Sequence, residues 1–364
     1  MNDAPTNDAP TPTNDAPTND ARVSSALRAA ARIESDDWAA AVELLASANR
    51  DARADELEFA LAALRARGYE QLHGPLGGGP IEAAVSPSVG RSGLPEAAVS
   101  ELSASVVRAA ILGHGSLLVR GAVDPTHARN LADGIDKCYE ASDAWSASRD
   151  ASVRPRSPWW TRFEPQGDKE ELAKSWVPGI RNWVRAGGGV LLCDSPRMQF
   201  ELLDLYRELG LFAVVSEYLG TRPVLSANKC TLRRVGLDAT GGWHQDGAFL
   251  GTGIRAINLW LALTDCGVDA PGLDLVPRRF DQVVETGTAG SYFTWAAGDE
   301  LVQEVTGDGG VIRPEFSAGD LLIFDDLLLH RTAVSPEMTH ERHAIETWCF
   351  AADAYPSGQI PLVW

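Results

Sequence analysis

The part of the chain that most constrains its fold runs from Pro223 onward, where short β-rich runs alternate with turn signals. These runs are "VLSANKCTLRRV", "IRAINLWLALT", "LDLVP", "GDLLIFDD" and "HAIETWCFA". Short apolar runs bounded by Gly, Pro and Asp are typical of strands. A series of them that follows helical sequence favours a sandwich or barrel packed against a helical layer. The sequence therefore predicts an α+β chain with a mainly β core at about 223–351.

Composition divides the chain into three parts. Residues 1–21 repeat NDAPT-like units, which bury no apolar face and carry a proline in nearly every unit, so we predict a disordered tail. Residues 22–95 begin with helical apolar spacings and end in "HGPLGGGPIEAAVSPSVGRSGLP", which predicts a helical preface and a linker. Residues 96–364 form the main domain. Its first half should contain helices near 96–112, 125–143 and 197–219 and a strand, "GSLLVRG", at 115–121.

Charge and cysteine usage restrict the function. The formal net charge of −18 argues against a nucleic-acid partner, which would require a basic face. The five cysteines are dispersed without a C-x-x-C pair, which indicates reduced thiols. No stretch reaches the roughly 18 apolar residues of a membrane span, and the N-terminus lacks a secretory pattern. We therefore expect a soluble cytoplasmic protein.

The stretch "GGWHQDGAFL" at 241–250 contains a candidate metal site. In an extended chain, His244 and Asp246 would point to the same face and Gln245 away from it. His330, at the end of "GDLLIFDDLLLH", would add a second imidazole. Two imidazoles and one carboxylate form the facial triad of non-haem Fe(II) oxygenases, which leaves coordination positions open. A structural zinc would take four protein ligands, and no cysteine lies near these residues in sequence.

Other interpretations of these histidines remain open at this stage. His244 and Asp246 could form an ordinary turn in which the aspartate caps an amide. His340 and His343, in and beside "SPEMTHERH", compete with His330 as the third ligand. We favour His330 because it ends an apolar strand behind a Gly-Asp turn. His340 instead lies in a polar loop, and His343 would face away from its neighbour Arg342.

Three further residues could bind a cosubstrate. Arg342 lies twelve residues after His330, so it could return on the next strand and grip a carboxylate through two parallel hydrogen bonds. Its alternative is a surface pair with Glu341. Thr332 would share the face of His330 and donate a hydroxyl. In "IRAINLWLALT", alternation separates an aliphatic face from a mixed face that carries Asn258 and Trp260 and could line a pocket. Trp260 could equally be a core tryptophan.

These blocks resemble the phytanoyl-CoA dioxygenase-like branch of the Fe(II)/2-oxoglutarate-dependent oxygenases. The matching stretches are "WHQDG", "PGLDLVP", "GDLLIFDDLLLHRT" and "RHAIETWCF". The likeness is good over 225–350 and loose over about 115–351. It implies a double-stranded β-helix core (a cupin-like jelly roll) flanked by helices, with Fe(II) held by His244, Asp246 and His330.

The resemblance also implies the cosubstrates and the reaction. By position, Arg342 matches the family's residue for the C5 carboxylate of 2-oxoglutarate, Thr332 its hydroxyl partner, and Trp260 an aromatic beside the cosubstrate. The family consumes O2 and releases succinate and CO2. We therefore expect hydroxylation of an unactivated C–H bond of a secondary metabolite, amino acid or acyl derivative. Because related halogenases carry a small residue at the position of Asp246, halogenation is disfavoured.

Some alternatives and details stay open. Desaturation, epimerisation or ring modification would use the same site. A non-catalytic binding protein would keep the fold without the reaction. A metal hydrolase would need further metal ligands. Relatives commonly have "PGSH" where this chain has Pro277-Arg278-Arg279-Phe280, which indicates a change at the pocket rim. Lys229 could face the pocket. Trp159 and Trp160, with nearby arginines, could form a substrate lid or could anchor a loop.

Overall fold

The structure, a computed structural model, describes residues 18–71, 86–148, 154–165, 176, 179–239, 241–291 and 293–364. The predicted disordered tail therefore lies outside the described residues up to residue 17, and so does most of the predicted linker. The first helix begins at Asn19, inside the segment predicted as tail, and the Thr18 hydroxyl caps it by accepting from the Ala21 amide.

Among the described residues, three helices form the preface, and five further helices precede or flank the β core. The preface helices are α1 (Asn19–Ile33), α2 (Trp38–Asp51) and α3 (Asp55–Arg67). The others are α4 (Ala104–His114), α5 (Pro125–Ala147), α6 (Ile180–Ala186), α7 (Pro196–Glu208) and α8 (Leu211–Leu219). Short helices α9 (Gly247–Leu250) and α10 (Asp299–Thr306) lie between strands. The helix predicted near 96 begins only at Ala104, because the Ser103 hydroxyl caps it there and residues 96–97 pair as a strand.

The strands form a large and a small sheet. In chain order they are β1 (Glu96–Ala97), β2 (Ser116–Val119), β3 (Gly189–Leu191), β4 (Pro223–Ser226), β5 (Thr231–Val235), β6 (Ala256–Ala262), β7 (Gly272–Leu275), β8 (Leu321–Phe324), β9 (His330–Ala333), β10 (Arg342–Ala351) and β11 (Pro361–Val363). The large sheet has the order β1-β2-β8-β6-β10-β4-β11, with β5 also on β10 and β3 on β5. Strands β7 and β9 form the small sheet. The predicted α+β class, with a jelly-roll core flanked by helices, is confirmed.

Strand β6 shows how the large sheet builds both the core and a cavity. All seven of its residues are buried, and it pairs with β10 on one side and β8 on the other. Leu259 and Leu261 belong to the hydrophobic core, whereas Asn258 lines a cavity and Trp260 belongs to both. The cavity is also lined by Leu273 of β7 and Thr332 of β9. It therefore lies between the two sheets, as the alternation along β6 predicted.

The Gly-Asp turn before β8 is determined by close packing. Gly319 has a φ of +96°, and a Cβ at this position would lie 2.0 Å from the Val123 carbonyl oxygen. The Asp320 carboxylate accepts from the amides of Gly121 at 2.8 Å and Ser317 at 2.9 Å. These contacts set the start of the strand that leads toward His330.

Two predictions from composition can be compared with the fold. The five cysteines are free and buried, in agreement with reduced thiols. Within the described part of the chain, no helix combines the length and apolar character needed to cross a membrane.

Candidate active site and metal centre

His244, Asp246 and His330 come together at one end of the cavity. One potential ligand atom from each lies within 4.8 Å of the others, and the Nε2 of His330 is 3.8 Å from an Asp246 carboxylate oxygen. The two imidazole centroids are 4.4 Å apart. Two main-chain hydrogen bonds join the histidines directly. The His244 amide donates to the His330 carbonyl at 2.9 Å, and the His330 amide donates to the His244 carbonyl at 3.0 Å. This double bridge holds two distant parts of the sequence in one register.

The remaining ring nitrogens orient both imidazoles. Nδ1 of His244 donates to the Gly242 carbonyl at 2.9 Å, and Nδ1 of His330 donates to the Leu328 carbonyl at 3.0 Å. Such hydrogen bonds fix the tautomer and leave Nε2 as the metal-binding nitrogen. Burial is the main reason that the pKa of His244 falls to about 4, so its imidazole is neutral at physiological pH. A neutral imidazole is the form that binds a metal.

Asp246 reaches the site by a different local conformation from the extended one predicted. Its backbone is right-handed helical (φ −63°, ψ −25°), and it stands immediately before α9. The amides of Phe249 and Leu250 donate to its carbonyl at 3.1 and 3.0 Å. Gln245 points away from the metal face, as predicted. Its side chain donates to the Leu327 carbonyl at 2.7 Å and accepts from the Val284 amide at 2.7 Å, which ties the motif to two loops.

Arg342 is a buried guanidinium that forms no ion pair with an acid among the described residues. It lines the same cavity as the triad and is 1% exposed. Its Nη1 donates to the Gly272 carbonyl at 2.9 Å, and its Nε has no hydrogen-bond partner among the described residues. Burial lowers its pKa. Glu341, the alternative partner, lies 3.9 Å from Arg234 instead.

Thr332 and Trp260 line the same cavity as Arg342. Thr332 lines the cavity from β9, where it pairs with Leu273. The Arg342 guanidinium lies 5.4 Å from the centre of the Trp260 ring. Trp260 is 1% exposed, and its indole nitrogen has no partner among the described residues. All three predicted cosubstrate residues therefore line the cavity that also contains the triad.

A second arginine in the cavity is fully paired. Arg233 donates from Nε and Nη2 to the two carboxylate oxygens of Glu346, both at 3.0 Å. The Thr231 hydroxyl donates to the same carboxylate at 2.9 Å. Despite the opposing effect of burial, Arg233 is the main cause that lowers the pKa of Glu346 to about 2. The sequence analysis did not single out this pair, although both residues stand on strands predicted there.

The mouth of the cavity is aromatic and carries one lysine. Trp183 of α6, Phe249 of α9, and Phe293 and Trp295 line it. Phe293 stacks on Trp295 with ring centroids 4.7 Å apart, and Trp295 packs edge-on against His244 at 5.5 Å. Lys229 faces the cavity, with Nζ 3.5 Å from the centre of the Phe249 ring and 4.0 Å from an Asp246 oxygen. The sequence analysis missed these aromatic rings because they come from a helix and loops without a motif.

Other predicted residues lie elsewhere. Trp159 and Trp160 do not line this cavity, and Trp160 packs on Trp145 at 5.0 Å, so they anchor a loop. Arg279 forms an ion pair with Asp325 and lines a neighbouring cavity of about 610 Å³. Within the changed stretch, Arg279 therefore faces this neighbouring cavity and not the triad. His343 bonds Asp136 at 3.1 Å, and His340 is exposed.

A family model described as phytanoyl-CoA dioxygenase (PhyH) matches residues 195–336, a segment that contains the triad and Thr332. No curated protein matches the chain. The segment and the converging triad define the class of protein: the chain is an Fe(II)/2-oxoglutarate-dependent dioxygenase. Residues 195–336 match the phytanoyl-CoA dioxygenase family, so the resemblance seen in the sequence is confirmed.

Several solved structures are similar to the chain at low identity. AviO1 from Streptomyces viridochromogenes Tue57 is 18% identical with a TM-score of 0.38, over 70% of this chain and 98% of its own. EctD from S. alaskensis, solved with 2-oxoglutarate and 5-hydroxyectoine, is 17% identical with a TM-score of 0.43. The match covers 70% of this chain and 79% of EctD. SnoK, a non-heme alpha ketoglutarate dependent carbocyclase from nogalamycin biosynthesis, is 14% identical with a TM-score of 0.42. The match covers 71% of this chain and 88% of SnoK. These scores are below 0.5, so the assignment rests on the family match and the site.

Proposed function

We propose that His244, Asp246 and His330 bind the Fe(II) ion and that the enzyme hydroxylates an unactivated C–H bond of a small molecule. The single observation that carries this proposal is the convergence of the three ligand atoms within 4.8 Å. Both imidazoles present Nε2, since Nδ1 of each is hydrogen-bonded to a carbonyl. Three protein ligands of this kind suit an open Fe(II) site.

Arg342 binds the C5 carboxylate of 2-oxoglutarate in this proposal, with Thr332 as its hydroxyl partner and Trp260 beside it. A buried guanidinium without an acid is costly unless a ligand supplies the anion. Among the described residues, no carboxylate forms an ion pair with Arg342, whereas Arg233 in the same cavity is satisfied by Glu346. The free fork of Arg342 is therefore available for a carboxylate from outside the chain.

The bound metal and cosubstrate supply the oxidising chemistry, in which O2 is consumed and succinate and CO2 are released. The protein's own residues orient the reactants and exclude water. Gln245 and the His244–His330 bridge hold the metal ligands in place. Trp260, Phe324 and Trp348 make the inner wall of the cavity apolar, which shields the reacting C–H bond from solvent.

The division of the chain is part of the same proposal, with a tail at 1–21, a preface at 22–95 and the oxygenase domain at 96–364. The preface helices share a hydrophobic cluster of their own, which includes Trp38, Leu45 and Leu61. Phe200 and Val363 are the residues beyond the preface that enter this cluster among the described residues.

Anaerobic titration with Fe(II) and 2-oxoglutarate tests the proposed site. We expect the weak visible charge-transfer band of a chelated iron complex in the native protein and its loss in Asp246→Ala. His340→Ala is the matched control, because this exposed histidine lies outside the cavity and should leave the band intact. Undiminished succinate release by Asp246→Ala would refute the assignment.

Product analysis separates hydroxylation from the alternatives that use the same site. A hydroxylated product gains an oxygen atom from isotopically labelled O2. A desaturated product loses two hydrogens and gains no label, and an epimer keeps its mass. A labelled product supports the proposal, and an unlabelled oxidised product would contradict it.

A further inference from the structure

The mouth of the cavity indicates what kind of substrate enters it, an inference that rests on the proposed function. The cavity volume is about 220 Å³, below the roughly 300–1,000 Å³ of sites that enclose a drug-sized ligand. Part of this space is assigned to the metal and part to 2-oxoglutarate. Most of a substrate molecule must therefore lie against the mouth, with its reacting edge alone directed inward.

The mouth exposes aromatic rings to solvent. Among the described residues, the strongly exposed large apolar side chains include two aromatic ones, Trp183 at 62% and Phe293 at 46% exposed. Both line this cavity, although 110 positions separate them in the sequence. Single exposed apolar residues are ordinary on a protein surface. Two exposed rings at one opening, with Phe293 stacked on Trp295 (interplanar angle 4°), form a surface suited to a flat apolar ligand.

Lys229 adds a positive charge to this surface. Its side chain is 19% exposed, and its ion pair among the described residues is with Asp246, at 4.0 Å. In the proposed site the Asp246 carboxylate binds the metal, so its negative charge no longer balances the Lys229 ammonium group alone. The ammonium lies over Phe249, between the metal face and the aromatic mouth. A substrate anion at this position would satisfy it.

We propose that the substrate is a flat aromatic compound that carries an acidic group. Its ring lies against Trp183 and Phe293, and its anion accepts a hydrogen bond from Lys229. The neighbouring Arg233 does not compete for this anion, because both its Nε and its Nη2 bind Glu346.

The test measures binding of three matched probes to the anaerobic protein loaded with Fe(II) and saturating 2-oxoglutarate. The probes are 2-naphthoate, 2-naphthamide, which lacks the charge, and decahydro-2-naphthoate, which lacks the aromatic ring. Saturating 2-oxoglutarate keeps the acids away from Arg342. Binding is followed by calorimetry and by the perturbation of the charge-transfer band.

We expect 2-naphthoate to bind most tightly. The amide should bind about tenfold or more weakly because the charge-assisted hydrogen bond is lost. The saturated acid should bind about two- to tenfold more weakly because the ring contacts are lost. Trp183→Ala and Phe293→Ala should weaken both aromatic probes equally and weaken the saturated acid less, because that acid loses apolar contact area but no ring–ring contact. Lys229→Met should abolish the preference for the acid over the amide and leave the amide's affinity unchanged.

Val268→Ala is the control, because Val268 is 53% exposed and lies away from the cavity. This variant should bind all three probes like the native protein. Equal affinity for 2-naphthoate and its saturated analogue, or no binding of any probe while the charge-transfer band is intact, would overturn the inference and leave the proposed function standing. Absence of the band itself would overturn the proposed function.

Discussion

Arg342 and Arg233 line the same cavity but should respond in opposite ways to the same substitution. Arg342→Met keeps an apolar stem and removes a buried guanidinium that has no acidic partner among the described residues. Arg233→Met removes a guanidinium that is bound to Glu346 through two hydrogen bonds of 3.0 Å. The comparison separates a ligand-binding arginine from a structural one.

The expected magnitudes follow from these contacts. Arg342→Met loses the hydrogen bond to the Gly272 carbonyl, which lowers the stability by about 1–3 kcal/mol. It also removes an unpaired buried charge, and burial of such a charge costs several kcal/mol in the native protein. The metal-free protein should therefore keep or gain stability. Arg233→Met leaves Glu346 with the Thr231 hydroxyl alone. Since the two side chains of this pair are 24% and 20% exposed, we expect a loss of about 3 kcal/mol, at the low end for a buried pair.

For binding of 2-oxoglutarate, in contrast to stability, Arg342→Met should be the more damaging of the two substitutions. Removing one partner of a buried charge pair costs about 2–5 kcal/mol, so Arg342→Met should raise the Kd of 2-oxoglutarate about 30-fold to several thousand-fold. At a concentration 100 times the native Kd, the cosubstrate stabilises the native protein by about 2.7 kcal/mol. The same concentration should stabilise Arg342→Met by less than about 1 kcal/mol.

Denaturant unfolding of the Mn²⁺-loaded protein, with and without 2-oxoglutarate, measures both effects. The metal-free proteins supply the baseline stabilities. If Arg342→Met destabilised the metal-free protein as much as Arg233→Met, Arg342 would be a structural residue and its assignment to the cosubstrate would be refuted. Native-like stabilisation of Arg342→Met by 2-oxoglutarate would refute it as well.

Three further predictions concern stability. Because the pKa of Glu346 in the folded state is about 2, against an ordinary value of 4.5, its contribution to stability is present above about pH 4.5 and is lost as the pH falls toward about 2. Urea titrations over this range should show the loss in the native protein and less of it in Arg233→Met; an equal loss would contradict the assigned cause. Gly319→Ala should destabilise the protein by about 2 kcal/mol or more, since its Cβ would meet the Val123 carbonyl at 2.0 Å at a positive φ. Gly358→Ala, which meets nothing within 4 Å, is its control in the same thermal unfolding assay, and equal effects would refute the packing argument. Mn²⁺ should raise the Tm of the native protein but not that of His330→Ala, and a similar rise in both would remove His330 from the ligand set.

The sequence was informative where the relevant pattern is local. Side chains alternate with period two along a strand, so the run around Asn258 and Trp260 predicted which face lines the cavity. The HxD stretch and the histidine after the apolar strand predicted the three candidate ligands, because the chemistry of a facial triad restricts the residue types. The exact backbone at Asp246 was not predictable in this way, since the helical turn of α9 overrides the extended conformation.

Tertiary structure decided which charges remain available. The sequence shows Arg233 and Arg342 as two basic residues on β-rich runs and does not distinguish a paired from a free guanidinium. The register of β5 on β10 places Arg233 opposite Ala344, one diagonal step from Glu346, and Arg342 opposite Val235. The aromatic mouth likewise unites Trp183 of α6 with Phe293, two residues that no local period relates. Local periodicity sets the direction of each side chain, but only the packing of distant segments determines its neighbours.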